Sequence, residues 1–550
     1  MLEIITKDKK KHKVQEGTTI LDFFNSLEKH EFKPLVALYN NRIVSLNTEI
    51  TEKGTLIPLG INTSEGMEAY RKSASMLLSK AFLDVFRNGR IVIGQSLGNN
   101  YYFDVSVDIP VDNEVLDLIK GRMKQLIKSD KQFCQVEMNR TEAIDIFIKQ
   151  GLNDKVRLLK NDTRKMVKLQ RCGKYYDLYF GPLLPSTSFI DLFELRKYQS
   201  GMVLSFPDQL DPTRLAPLKH YRKLFNIYKE SKKWQSAIKI NNVGRLNEFI
   251  RNNKIHDYIK TAEVFHERKI AQIADMITAD KNNIRIVLIA GPSSSGKTTF
   301  SKRLAVHLHV NGIDSVPISL DNYFLNREKT PKDEDGDYDF ESIYALDLDL
   351  FNEHLVKLTK GDEVEIPNFD FESGSRKGNG YPLRIAENQI IIIEGIHGLN
   401  DLLTHSIAKE NKFKIYISAL TQIAFDDFNR IHTTDTRLIR RIVRDQKFRG
   451  YSATDNLNRW ASVRRGEEKN IFPYQENADV MFNSAVVYEL AVLKRYAEPL
   501  LKKVSPDKKV YSIAQNLLEL LDKFHPLEDE SGIPPTSILR EFIGNSSFNY

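Results

Sequence analysis

Short alternating apolar stretches dominate the first 62 residues, and the period shifts to three and four residues further along the chain. Leu2–Thr6 and His12–Val14 flank a turn. Thr19–Leu27 has helical spacing with Thr18 or Thr19 as its cap, and Leu35–Tyr39, Asn40-Asn41 and Arg42–Val44 read as a hairpin before Thr55–Leu59. Leu246–Ile250 and Ala262–Met276 carry apolar residues at helical spacing, which predicts a helical connector over 201–279. From 280 to 500, the apolar runs Ile284–Ala290, Ser315–Leu320, Gln389–Ile393 and Phe413–Ser418 alternate with amphipathic patterns such as Phe300–His309. That alternation predicts a doubly wound, mostly parallel sheet. A C-terminal extension over 501–550 is read as one more strand, Lys509–Ser512, one more helix, Asn516–Leu521, and a tail with Pro534-Pro535.

Composition narrows the class. A chain of 550 residues exceeds one hydrophobic core. Its 41% apolar and 28% charged residues are those of a folded soluble protein, and no apolar run approaches the ~18 residues of a membrane span. Met1–Asp8 has no apolar signal-peptide core, and Cys134 and Cys172 alone supply neither a disulfide framework nor a cysteine zinc cluster. A cytoplasmic protein without a membrane partner is expected. The net charge of +7 is mild for this length and by itself argues for no nucleic-acid partner.

The chemistry is concentrated in Gly291-Pro-Ser293-Ser294-Ser295-Gly296-Lys297-Thr298-Thr299, which follows one apolar run and precedes one amphipathic pattern. Strand, glycine-rich turn and helix in that order are what a triphosphate-cradling loop requires: backbone N–H groups curl round phosphate, Lys297 reaches the outer phosphates, and the Thr298 hydroxyl ligates Mg²⁺. Two carboxylates end neighbouring strands. Asp321 is placed to take a proton from a substrate hydroxyl, and Glu394, closing an all-apolar strand, is placed to support Mg²⁺. Arg437, Arg440, Arg441, Arg444 and Arg449 recur at helical offsets and read as one arginine face of a lid over ATP, with a solvated face or a nucleic-acid patch as alternatives.

Three resemblances give these segments families. The first 62 residues resemble a TGS domain, a small β-grasp module. Residues 63–200 resemble the second additional domain of threonyl-tRNA synthetases, an α+β unit, through Arg171–Pro185 and Tyr70–Leu78. The four positions that form that family's editing pocket are here Arg71, Ser75, Tyr179 and Leu183, so its hydrolytic chemistry is expected to be lost. Residues 280–500 resemble the uridine–cytidine kinase family through Asp321–Phe324, Tyr338–Ile343, Phe369–Arg376 and Asp435–Asp445.

That last resemblance implies an ATP- and Mg²⁺-dependent nucleoside kinase. Asp321 would be the base, Lys297, Arg441 and Arg444 would act at the transferred phosphate, Arg449 would bind ATP, and Glu341, Phe369 and Arg376 would join Asp321 and Arg441 around the acceptor. Where the family has a ribose-binding aspartate, a base-contacting tyrosine and a base-reading histidine, this chain has Glu341, Phe369 and Gly374, so pyrimidine readout in the family's manner is not available. The alternatives are a kinase of a sugar phosphate or pantothenate, and an RNA- or ribosome-associated regulatory NTPase. The basic run Lys7–Lys13 is the best sequence support for RNA, although a solvated hairpin is the commoner explanation of such a run. The sequence leaves the oligomeric state open, a homo-oligomer included.

Overall fold

A computed structural model describes residues 1–27, 32–332, 336, 338–370, 373–378 and 380–549. Phe371 and Glu372, part of the Phe369–Arg376 stretch, lie outside the described residues. The N-terminal unit is a five-stranded sheet in the order Lys11–Val14, Leu2–Ile5, Gly54–Leu59, Val36–Tyr39, Arg42–Ser45. Only the central pair, Leu2–Ile5 with Gly54–Leu59, is parallel. Asn40 and Asn41 turn the hairpin at φ 48° and 59°, the left-handed pair that a two-residue turn matching strand twist demands. Helix Ile20–Asn25 lays Ile20, Phe23 and Phe24 across the sheet, and the Thr19 hydroxyl accepts the Asp22 N–H as its cap. The basic run projects from the turn beside this sheet with Lys7, Lys9 and Lys10 exposed.

The second unit packs the 22-residue helix Ser64–Val85 against an antiparallel sheet of Glu194–Tyr198, Gly201–Ser205, Asn100–Ser106 and Arg90–Leu97. A separate sheet joins Tyr175–Leu178, Met166–Cys172 and Phe133–Asn139. The boundary drawn at 200 falls inside the hairpin Glu194–Ser205, where Gln199 takes φ 52°. Gly201–Ser205 is fully buried and pairs with Asn100–Ser106, so it belongs to this sheet and not to the helical stretch. Helices begin only at Arg222–Ile238, followed by Val243–Arg251 and Ile255–Ala279.

The third unit is a five-stranded, all-parallel sheet ordered Asp314–Ser319, Gln389–Glu394, Ile286–Ala290, Lys412–Ser418, Val480–Asn483. Its central strand is buried throughout, as expected for a parallel sheet covered on both faces. Lys509–Ser512 is not a strand. Tyr511–Asp522 is helical, and Val510, Ala514, Leu517 and Leu521 bury one face at three- and four-residue spacing that overrides the short run's β preference. Among the described residues, no helix is long and apolar enough to cross a membrane.

The second and third units share one continuous apolar core. Between strand Lys412–Ser418 and the helix Thr433–Phe448, residues 424–430 press into the synthetase-like unit. Phe425 stacks on Phe180 at 4.4 Å. Lys155 Nζ lies 2.5 Å from Asp177 Oδ1 and 2.8 Å from Asp426 Oδ1, all of them buried. Removing the shared cation strands two buried carboxylates. Lys155→Ala is therefore expected to destabilise the chain by about 3–5 kcal/mol, read as a lowered denaturant midpoint. A loss below ~1 kcal/mol would show that the triad is not what joins these units.

Candidate active site

Gly291 closes the central strand. A Cβ there would lie 2.1 Å from the Ile417 carbonyl oxygen, so only glycine lets the chain turn away from the neighbouring strand. Ser294 at φ 58° and Gly296 at φ 84° curl the loop in left-handed steps, the backbone turn on which anion-binding nests are built. Helix Lys297–Val310 starts immediately and adds its N-terminal dipole. Lys297 Nζ donates to the carbonyls of Gly291 and Pro292 at 3.0 and 3.3 Å. Burial lowers its pKa, although Glu394, Glu541 and Glu467 pull the other way.

Strand register assembles the acids. Ser319 pairs with Glu394, and Glu394 with Ile289. Asp321, Glu394 and the loop thus leave the same carboxyl edge of three adjacent strands, where open α/β sheets collect ligands. Thr298 Oγ1 donates to Glu394 Oε1 at 3.1 Å, while Glu394 Oε2 is buried without a hydrogen-bond partner among the described residues. Burial raises the Glu394 pKa. A hydroxyl and an under-satisfied carboxylate are hard oxygen donors, and the pair fits Mg²⁺. Asp321 is exposed at the mouth of the cleft, where desolvation by the surrounding walls raises its pKa.

The predicted arginine face divides in two. Arg437 and Arg440 are about 1% exposed. Arg437 grips both carboxylate oxygens of Glu467 and donates to the Ser293 carbonyl at 3.1 Å. Arg440 pairs with Glu489 and donates to the Ser294 carbonyl at 3.3 Å and the Ser484 carbonyl at 3.0 Å. Both therefore fasten the phosphate loop from behind and do not line an outer face. Arg441 is different, since its Nη1 donates to Ser293 Oγ at 2.9 Å. Arg444 lies close enough to Lys297 to depress its pKa. Buried Asp445 gathers Arg441, Arg444 and Arg449 at 3.4, 2.8 and 3.6 Å, and Arg449 is the outermost of the three.

Glu341 reaches the same cleft, and a Cβ on Gly466 would lie 2.0 Å from its Oε2. Burial, then the neighbouring acids Glu467 and Asp339, push its pKa up to about 7. Phe369 is buried with its ring 5.6 Å from Phe324. Arg376 is paired to Asp347 at 3.0 Å. Gly374 takes φ 67°, and a Cβ there would meet Arg327 Nε at 2.7 Å, so the guanidinium of Arg327 fills the space of the missing side chain. Sequence reasoning did not single out Arg327, Glu467 or Glu541. Each acts through a partner distant in the chain, and no local pattern marks it.

The four editing-pocket positions assemble no metal-binding or nucleophilic set. Arg71 sits about 6 Å from the rings of Tyr101 and Phe206, Ser75 and Leu183 are buried, and Lys168 lies over the Tyr179 ring at 6.0 Å.

Residues 286–491 match the Phosphoribulokinase / Uridine kinase family. The matched stretch contains the phosphate loop, both strand-end acids and the arginine helix. The N-terminal part is similar to threonine–tRNA ligases. The enzyme of Pelobacter propionicus is 28% identical over 195 residues, covering 35% of this chain and 31% of that protein. That of Syntrophotalea carbinolica is 34% identical over 163 residues, covering 29% and 26%. The chain thus spans about a third or less of the length of these relatives. A solved structure described as a possible uridine kinase from Bacillus stearothermophilus is 18% identical, with a TM-score of 0.27, over 39% of this chain and 98% of that one.

Proposed function

We propose that the protein transfers the γ-phosphate of ATP to the 5′-hydroxyl of a nucleoside, with uridine or cytidine as the leading acceptor. The observation that carries the reading is the placement of Asp321 on the same sheet edge as Lys297 and the Thr298–Glu394 pair. A switch NTPase needs the loop and the metal pair but has no use for a base facing an acceptor. Asp321 accepts the hydroxyl proton as the acceptor oxygen bonds to the γ-phosphorus and the bond to the β-phosphate oxygen breaks. Lys297, Arg441 and Arg444 hold charge on the transferred group, and Arg449 closes over the nucleotide. Gly291, Ser293, Ser294, Ser295, Gly296 and Thr299 cradle the phosphates. Thr298 and Glu394 would hold Mg²⁺, which neutralises charge developing on the phosphate oxygens.

In this reading residues 1–62 and 63–200, continued through the strand Gly201–Ser205, form TGS-like and synthetase-like units without editing chemistry. The helical stretch before residue 280 joins them to the kinase domain, and the C-terminal extension packs on that domain. The tRNA-ligase similarity supports RNA as a further partner of the N-terminal half, and the cytoplasm is the compartment consistent with all of these roles.

Base selectivity is expected to be loose, or different from that of an ordinary uridine kinase. Phe369 preserves an apolar surface for stacking, but the side chains that read the base edge are absent, and Arg327 occupies the place of one of them. A site that hydrogen-bonds a base edge discriminates by ~10⁴-fold or more. Measuring kcat/KM for uridine, cytidine, adenosine, guanosine and inosine is the test. Discrimination against purines on that scale would mean that a pyrimidine site has been rebuilt from other groups. Activity on none of the five would move the reading to a non-nucleoside acceptor or to a regulatory NTPase.

A further inference from the structure

The last forty residues lie beyond the region similar to known kinases, yet they end on the phosphate loop. After helix Tyr511–Asp522, the chain returns across the kinase domain to a single helical turn, Arg540–Ile543. Glu541 Oε2 accepts the Thr299 backbone N–H at 3.2 Å and the Thr299 hydroxyl at 2.7 Å. Thr299 stands two residues after Lys297, in the first turn of the helix, where N–H groups have no partner within the helix. In a phosphate loop those groups cradle the α- and β-phosphates. Ile538 covers the adjacent step, because a Cβ on Gly296 would lie 2.5 Å from Ile538 Cγ2. The segment is held at several points. Ser537 Oγ donates to Glu263 at 2.7 Å, the Arg440 guanidinium lies 4.9 Å from the Phe542 ring, and Lys447 Nζ donates to the Ile543 carbonyl.

Glu541 differs from the other carboxylate that accepts a backbone N–H of this loop. Glu467 accepts the Ser293 N–H but is locked by Arg437, whereas Glu541 is 8% exposed and makes no ion pair among the described residues. A buried carboxylate without a cation is costly. Its compensation here is the Thr299 donors, the positive end of helix Lys297–Val310 and the nearby charge of Lys297, unpaired among the described residues. A phosphate asks for the same donors and brings more charge to them.

We propose that the C-terminal segment 534–543 is a built-in competitor of the nucleotide, with the Glu541 carboxylate standing where the α-phosphate binds. The proposal rests on the reading of residues 291–299 as a triphosphate site. ATP enters only when this segment leaves. The apparent affinity is thereby lowered by the fraction of molecules in which the segment is away, and anything that draws the C-terminus elsewhere activates the enzyme.

The experiment uses the full chain and Mg–ATP. Glu541→Ala and Ile538→Ala are each expected to tighten ATP binding by ~10-fold or more, measured by calorimetry. Hydrogen exchange on the unmodified protein supplies a second readout that needs no folded variant, with residues 534–543 losing protection when Mg–ATP is added. Measurable ATP binding that is unchanged or weakened in both variants overturns the competitor. So does protection of 534–543 that stays level or rises with ATP. If neither the unmodified protein nor the folded Glu541→Ala variant binds ATP, the triphosphate reading falls and takes the competitor with it. Loss of the tightened binding on adding Lys297→Ala to Glu541→Ala locates the nucleotide on the loop.

Discussion

Lys297→Ala is expected to lower phosphoryl transfer by about 10²–10³-fold or more while leaving the chain folded. The amine is the cation at the centre of a loop whose other contributions are backbone dipoles. It is held by carbonyls at 3.0 and 3.3 Å and, among the described residues, by no carboxylate within ion-pair distance, so turning toward a phosphate breaks only those two contacts. Its burial lowers the pKa, so the amine sits in a desolvated place where its charge interacts strongly with an incoming anion. Truncation removes hydrogen bonds only to the loop itself. The Arg437 and Arg440 contacts to the Ser293 and Ser294 carbonyls keep the loop in shape. Circular dichroism and the thermal midpoint should stay close to those of the parent. Near-normal turnover in a folded variant would remove the loop from the mechanism.

Features carried by local pattern were legible in the sequence. The phosphate loop is one, since glycine spacing between an apolar run and an amphipathic one specifies both backbone path and neighbours. Asn40-Asn41 is another, because two residues tolerant of positive φ between alternating runs define a hairpin. Asp321 and Glu394 were legible as strand-end acids, and parallel register then brought them to one edge. Features that depend on distant partners were not. A helical stripe of arginines cannot reveal that Arg437 and Arg440 turn inward, because the acids that make burial tolerable, Glu467 and Glu489, lie 30 and 49 residues away. Glu541 meets Thr299 across 242 residues. Lys509–Ser512 was misread because four residues of β preference are outweighed by the apolar period of the helix that begins inside them. The hairpin across residue 200 was missed because Gly201–Ser205 is apolar at nearly every position and has no alternation to identify it as a strand.

Asp321→Asn is expected to reduce kcat by roughly 10²–10⁴-fold with ATP affinity little changed. Asparagine keeps the shape and can still accept a hydrogen bond from the acceptor hydroxyl, so binding survives, but it cannot take the proton. The aspartate lies at the end of strand Asp314–Ser319, and its own backbone N–H is accepted by Ser319 Oγ at 3.2 Å. The backbone is thus positioned without help from the carboxylate, which separates a catalytic role from a capping one. Desolvation raises the carboxyl pKa, making it a stronger base than a free aspartate. The base acts when deprotonated, so kcat/KM of the parent should fall as pH drops through that raised pKa. Its acidic limb should therefore lie above the usual aspartate range. In the Asn variant that limb should vanish along with most of the rate. Glu341, whose pKa is pushed up to about 7, titrates in the same cleft and supplies the rival assignment. Glu341→Gln should weaken acceptor binding, read in KM, while the acidic limb due to Asp321 persists. A limb that disappears in Glu341→Gln and survives in Asp321→Asn would transfer the base from Asp321 to Glu341. A large loss of ATP affinity at unchanged kcat in Asp321→Asn would instead make that residue part of the nucleotide site.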